Sequence, residues 1–143
     1  MKNLTLIDKA FFLKKTPMFS SLELDLLLPI ADKLIIIDFE ANEVVFDLGE
    51  QAFNMYIIGE GKVSIRDASK QEIALLEIGE VFGDESIFSG LPREYQAICK
   101  VPTYLLTLTQ ADLLAIIHEY PKVATGFIEM FTRVTPFRSR KPR

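Results

Sequence analysis

The chain of 143 residues has no tryptophan, one cysteine and one histidine. With Cys99 alone, no internal disulfide can form, and a reducing, cytoplasmic setting is the natural expectation. The lone His118 excludes the clusters of imidazole and carboxylate that a metal-dependent enzyme of sheet architecture needs, and no metal site or catalytic residue is expected. Long apolar runs are missing too. The first fifteen residues interleave apolar positions with Lys2, Asp8, Lys9, Lys14 and Lys15, which suits neither a signal peptide nor a membrane span of about 20 residues.

What is present is the balance of a folded domain, 49% hydrophobic and 25% charged residues, in a length that suits one core. The formal net charge of −4 disfavours non-specific binding to nucleic acid or anionic lipid. The signs are uneven, however: from Arg133 the chain carries Arg138, Arg140, Lys141 and Arg143 with no acidic residue. A solvated terminal segment is the plain reading of that block.

Periodicity divides the chain in three. Leu4, Ile7, Phe11 and Phe12 fall on one helical face, and Ser20 with Glu23 forms a capping pattern before Leu24, Leu27, Leu28 and Ala31, with Pro29 expected to kink or shorten that second helix. From residue 34 the period becomes that of strands, expected at 34–37, 44–46, 55–58, 63–65, 73–76, 95–101 and 104–108. Glycine, Asn, Asp and Ser between them supply the turns, and spacing this close predicts an antiparallel sandwich or barrel. Thr109 with Asp112 then caps a helix that Pro121 ends, and Val123, Phe127, Ile128, Phe131 and Val134 form a last helical stripe stopped by Pro136. One domain results: helices over about 4–33, a β-sandwich over about 34–108, C-terminal helices over about 110–135 and a basic tail at 136–143.

One stretch within the strands differs from the rest. Gly79, Gly83 and Gly90 permit close turns, residues 84–88 suffice for about one helical turn, and Arg93 follows. Backbone amides at a short helix start and a guanidinium nearby favour an anion. Together with Pro17 to Leu22, Leu48-Gly49-Glu50, Met55 to Val63, and Gly79 to Ser86 followed by Pro92-Arg93, this stretch resembles the cyclic-nucleotide-binding domain family. The likeness runs from about residue 16 to 135.

The resemblance implies a mainly β fold, an antiparallel double-stranded β-helix (jelly roll) with flanking α-helices, and a phosphate-binding cassette between two strands. In that cassette Phe82 and Gly83 match the family's start, Asp84 stands for its ribose-binding Glu, Glu85 and Ser86 offer amides, and Arg93 stands for the phosphate-binding Arg. Two positions depart from the pattern: Glu94 puts a carboxylate where a small or hydroxyl residue contacts phosphate, and Tyr95 puts a ring where a small Ala lies beneath the ligand. Glu94 would pair with Arg93, and the Tyr95 ring would fill ligand volume.

Two functions follow from this. One is a small regulatory sensor binding cAMP or cGMP through Phe82 to Ser86 and Arg93; the other is a module that has lost its nucleotide and serves interaction or structure. The residues Glu94 to Gln96 discriminate them: inward, they favour the second; outward, the first. No DNA-binding domain is expected after the last helix, and a homodimer through that helix, as in dimeric family members, is one open arrangement.

Overall fold

The computed structural model describes residues 3–16 and 18–132, and the side chains of 130–132 are outside it. Pro17, Val134, Pro136, the basic segment and the side chain of Phe131 therefore lie outside the described residues. Two helices, α1 (Leu6–Lys15) and α2 (Leu24–Lys33), lead into strands β1 (Ile35–Phe39), β2 (Val44–Phe46), β3 (Asn54–Glu60), β4 (Val63–Arg66) and β5 (Glu72–Leu76). Then come β6 (Val81–Phe82), the short α3 (Glu85–Ser89), β7 (Gln96–Cys99), β8 (Thr103–Thr109), α4 (Gln110–Glu119) and α5 (Lys122–Thr132).

The strands form two four-stranded sheets, β1-β8-β3-β6 and β2-β7-β4-β5. Every pairing is antiparallel, as the jelly-roll expectation requires. Alternation along β3 and β8 sends side chains to opposite faces. Met55, Ile57, Leu106 and Leu108 join the helices in one core, whereas Tyr56, Ile58 and Leu105 fill the space between the sheets with Val63, Ile65, Ala97 and Cys99.

The helical face expected of α1 is met in part: Leu4 and Phe12 pack against the core, but Ile7 and Phe11 do not. Ala10 and Leu13 are fully buried, while Ile7 and Phe11 are 57% and 52% exposed. The small side chain of Ala10 lets α1 lie close on α2, and two lysines fix its rotation: Lys9 Nζ donates to the Leu34 carbonyl at 2.9 Å and Lys14 Nζ to that of Leu22 at 2.7 Å. The start of α1 is held by a reciprocal cap between Thr5 and Asp8. Those hydrogen bonds hold the Asp8 carboxyl below its ordinary range.

Ser20 does not cap α2. Consecutive turns, Phe19 N–H to Thr16 O and Leu22 N–H to Phe19 O, carry the chain to Glu23, which precedes the helix without a side-chain bond to it. These turns bury Met18, Phe19 and Leu22, and that burial outweighs a hydroxyl cap worth about 1 kcal/mol. Pro29 lies inside α2, which continues through it to Lys33. In α5 Phe127 turns inward, edge-on to Phe19 at 6.0 Å and to Phe88 at 4.9 Å, and belongs to the core. A Cβ on Gly126 would overlap the Met18 carbonyl oxygen, so α5 meets that turn backbone to backbone.

Candidate functional site

The cassette begins at β6, which pairs Tyr56 with Phe82 and Ile57 with Val81. Two residues are too short for any periodicity, so this strand has no sequence signal. Gly83 follows with φ +81, a conformation that side chains resist, and a Cβ there would stand 3.0 Å from Arg93 Nη1 and 3.2 Å from the Tyr56 ring. From this turn Asp84 enters α3, its carbonyl accepting from the amides of Ile87 and Phe88. Gly90, at φ 74, ends the helix.

The exit of the cassette is sewn to the β2–β3 loop. Gly49 N–H donates to Arg93 O at 2.9 Å, and Arg93 N–H to Glu50 O at 2.8 Å. The Arg93 backbone is thereby fixed and its side chain is driven inward, leaving only 4% of the residue exposed. Its Nη1 donates to the Gly83 carbonyl and its Nη2 to the Asn54 carbonyl at 2.6 Å, while the guanidinium lies 4.0 Å above the Phe46 ring. The remaining nitrogen, Nε, is buried without a hydrogen-bond partner. Burial lowers the pKa of this Arg, and the nearby Tyr95, Tyr56, Glu85 and Asp84 act in the opposite sense.

The expected pairing of Arg93 with Glu94 is not what forms. Glu94 is exposed, and among the described residues no ion pair joins the two. Arg93 and Tyr95 are both buried in the bend that leads into β7, and the residue between them is left at the surface. Gln96, also outward, reaches Asp47 Oδ1 at 3.3 Å.

Tyr95 takes the inward position. Its hydroxyl accepts from the Gly83 amide at 2.8 Å and donates to Glu85 Oε1 at 2.9 Å. Its ring packs 5.4 Å from that of Phe46, beside the stacked pair Tyr56 and Phe82 at 5.2 Å. Burial, with the charges of Glu85 and Asp84 nearby, raises the Tyr95 pKa well above its ordinary value, so the phenol stays a donor to the carboxylate.

The eight residues singled out from the sequence, Phe82 to Ser86 and Arg93 to Tyr95, thus do come together, apart from the outward Glu94. Asp84 is fully buried, and Ser86, nearly so, donates weakly to the Pro92 carbonyl at 3.5 Å. Phe46, Tyr56 and Asn54 belong to the same site and were not singled out. The two rings were legible as inward strand positions, but Asn54 acts through its carbonyl, which no side-chain pattern reports. Both ends of the Gly83 peptide are held, its N–H by Tyr95 and its C=O by Arg93. An anion arriving here finds the Gly83 amide and both terminal nitrogens of Arg93 already engaged. Outside the cassette, Cys99 is buried and His118 lies exposed in the last turn of α4.

Residues 36–120, from β1 through α4, match the cyclic nucleotide-binding domain family. The chain is similar to the cyclic AMP receptor protein of Thermus thermophilus, 28% identical over 128 residues that make up 85% of this chain and 58% of that protein. It is also similar to the cAMP-dependent protein kinase type II regulatory subunit of Drosophila melanogaster, 32% identical over 84 residues, 57% of this chain and 22% of that one. The crystal structure of the Thermus thermophilus catabolite activator protein superposes with a TM-score of 0.76 at 28% identity, covering 82% of this chain and 57% of the other. These relatives are longer than the part of them this chain spans. The two antiparallel sheets, the cassette between β6 and β7 and the match over most of the sandwich lead to one assignment: the chain belongs to the cyclic nucleotide-binding domain family.

Proposed function

We propose that this domain is a regulatory module of the interaction type, whose cassette is closed by its own Tyr95 and takes no cyclic nucleotide at physiological concentration. The observation that carries this reading is the Tyr95 hydroxyl seated between the Gly83 amide and the Glu85 carboxylate, with its ring in the apolar interior. A phosphate seeking the Gly83 amide must displace a buried phenol, and the carboxylates of Asp84 and Glu85 stand beside the vacated place. Ribose contact by Asp84 would require exposing a side chain that is fully buried. No catalytic role is proposed for any residue. The reading includes a reducing, cytoplasmic compartment, supported by the single cysteine, Cys99, with which no internal disulfide can form.

Calorimetric titration of the full chain with cAMP and with cGMP, each to millimolar concentration, tests the reading. No binding heat is expected; a micromolar dissociation constant for either nucleotide would overturn it. Such a result would establish the second reading, a cyclic nucleotide sensor, favoured by the retained Arg93 and by similarity to a protein named for its cyclic AMP receptor role.

A further inference from the structure

The two sheets present four edge strands, β1 and β6 in one and β2 and β5 in the other. An edge is a row of unpaired amides and carbonyls, and short length, bulges or charges keep other chains from adding to it. Three of these edges carry such a guard. β6 has two residues, β2 has three and a break in register between Val44 and Phe46, and the register of β5 breaks opposite Ile65 and Arg66. β1 has none. Its five residues, Ile35-Ile36-Ile37-Asp38-Phe39, pair with β8 in unbroken register and include one charge and no glycine, lysine or proline. Outside that ladder no backbone hydrogen bond among the described residues reaches 35–39. The side chains are uncovered as well. By register Ile37 stands beside Leu105 and Ile35 beside Thr107, on the face turned to the other sheet, yet Ile35 is 53% and Ile37 37% exposed. The apolar interior thus runs out to this edge and stops without a cover.

A strand of this kind takes on a partner by pairing along its open side. A second copy of the chain fits it. Two antiparallel copies of β1 related by a twofold axis at Ile37 set Ile37 opposite Ile37, Ile35 opposite Phe39 and Ile36 opposite Asp38, so all five residues of each strand are paired. A centre at Asp38 would instead put two carboxylates face to face, which is unfavourable. With the centre at Ile37, the uncovered Ile35 and Ile37 meet Phe39 and Ile37 of the second copy on one face and carry the apolar row across the join. The charges at the ends are complementary too. Lys33, the last residue of α2, comes beside Glu40 of the second copy; both are exposed, and the twofold axis makes the pair twice. We propose that β1 is a self-pairing edge, through which two copies of this chain join their β1-β8-β3-β6 sheets into one antiparallel sheet of eight strands. The proposal stands whether or not the cassette takes a nucleotide.

The test is sedimentation of the full chain, without nucleotide, over a hundredfold range of concentration. Wild type is expected to pass from one copy to two as concentration rises, with the β1 amides gaining protection from hydrogen exchange in step. Ile37→Lys, which sets two ammonium groups face to face at the axis, should leave a folded monomer throughout. Lys33→Glu and Glu40→Lys should each weaken dimerisation about tenfold, because two exposed pairs turn from attraction to repulsion, and the double variant should restore it. That restoration is specific to the register and does not depend on Ile37→Lys folding. A wild type that stays monomeric would overturn the proposal. So would a dimer that forms equally well in Ile37→Lys, which would assign the contact to another face, or charge reversals without effect on it. Protected β1 amides in a monomer would also overturn it, by assigning the edge to a terminal segment of the same chain.

Discussion

Replacing Tyr95 by Phe removes one oxygen atom and keeps the ring among Phe46 and its neighbours, so it isolates the polar half of the closure. Two hydrogen bonds are lost: one from the buried Gly83 amide and one to the Glu85 carboxylate. A neutral bond of this kind contributes about 1 kcal/mol and one to a charged group about 1.5–3 kcal/mol. Glu85 is only half-buried, so water regains part of the second contribution, and a net loss of about 2 kcal/mol remains. For a domain of this size that is on the order of 6 °C in Tm. Tyr95→Ala removes the ring as well, for a total of about 3–5 kcal/mol, and opens the volume beneath the cassette. Urea unfolding gives both values. Nucleotide titration of Tyr95→Ala, alone and with Glu94→Ser, then reads whether shape was the obstacle. Binding is expected only in variants lacking the ring, and Glu94→Ser by itself should change neither stability nor binding, because Glu94 is exposed and unpaired with Arg93. A Tyr95→Phe protein as stable as wild type would refute the seating of the phenol. A folded double variant that binds neither cAMP nor cGMP would refute the idea that the ring is what excludes them.

At the join between α5 and the turn at Met18, Gly126→Ala should cost about 1–3 kcal/mol, since the added methyl meets a carbonyl oxygen that cannot yield. Hydrogen exchange should locate the loss in α5 and residues 18–22; an exchange pattern unchanged there counts against the backbone contact. Burial pushes the Cys99 thiol up to about 11 from an ordinary 9.0. The neutral thiol is the folded form, so its stabilising effect is complete below pH 9 and is lost as pH rises through 11. Thiol labelling at pH 8 is expected to be slow in the native protein and fast in urea; rapid native labelling would show that the strand opens readily.

The strands were legible where β-branched and aromatic residues alternate over four or more positions, as in Met55 to Ile58 and Tyr104 to Leu108. Val81 and Phe82 carry too little chain to show a period, and their pairing is decided by β3 alone. In α1 the apolar residues outnumber those that can be buried, so periodicity named Leu4, Ile7, Phe11 and Phe12, of which Leu4 and Phe12 pack on the core, while packing against α2 added Ala10 and Leu13 and left Ile7 and Phe11 outside. The capping pattern at Ser20 failed because turns burying Met18, Phe19 and Leu22 displaced the helix start to Leu24. Within the cassette, the sequence singled out Arg93 and Tyr95, which the fold brings together, but not the partner of Arg93. Carbonyl oxygens of Gly83 and Asn54 have no letter in a sequence, so the competition they offer a carboxylate at 94 emerges only when the backbone is placed.

Strand β8 is paired on both sides, to β1 and to β3, and its successive side chains answer to different interiors. Leu106 and Leu108 belong with the helices, Leu105 with the rings around Tyr95. A strand so placed cannot slide to suit one side without disturbing the other. Repacking of Phe46, Tyr56 and Tyr95 would press on Leu105, move the shared backbone and be registered by Leu106 against α2 and α4 within a single peptide's length. The wall between the two interiors is in this sense a lever, with the aromatic cassette at one end and the helical surface at the other.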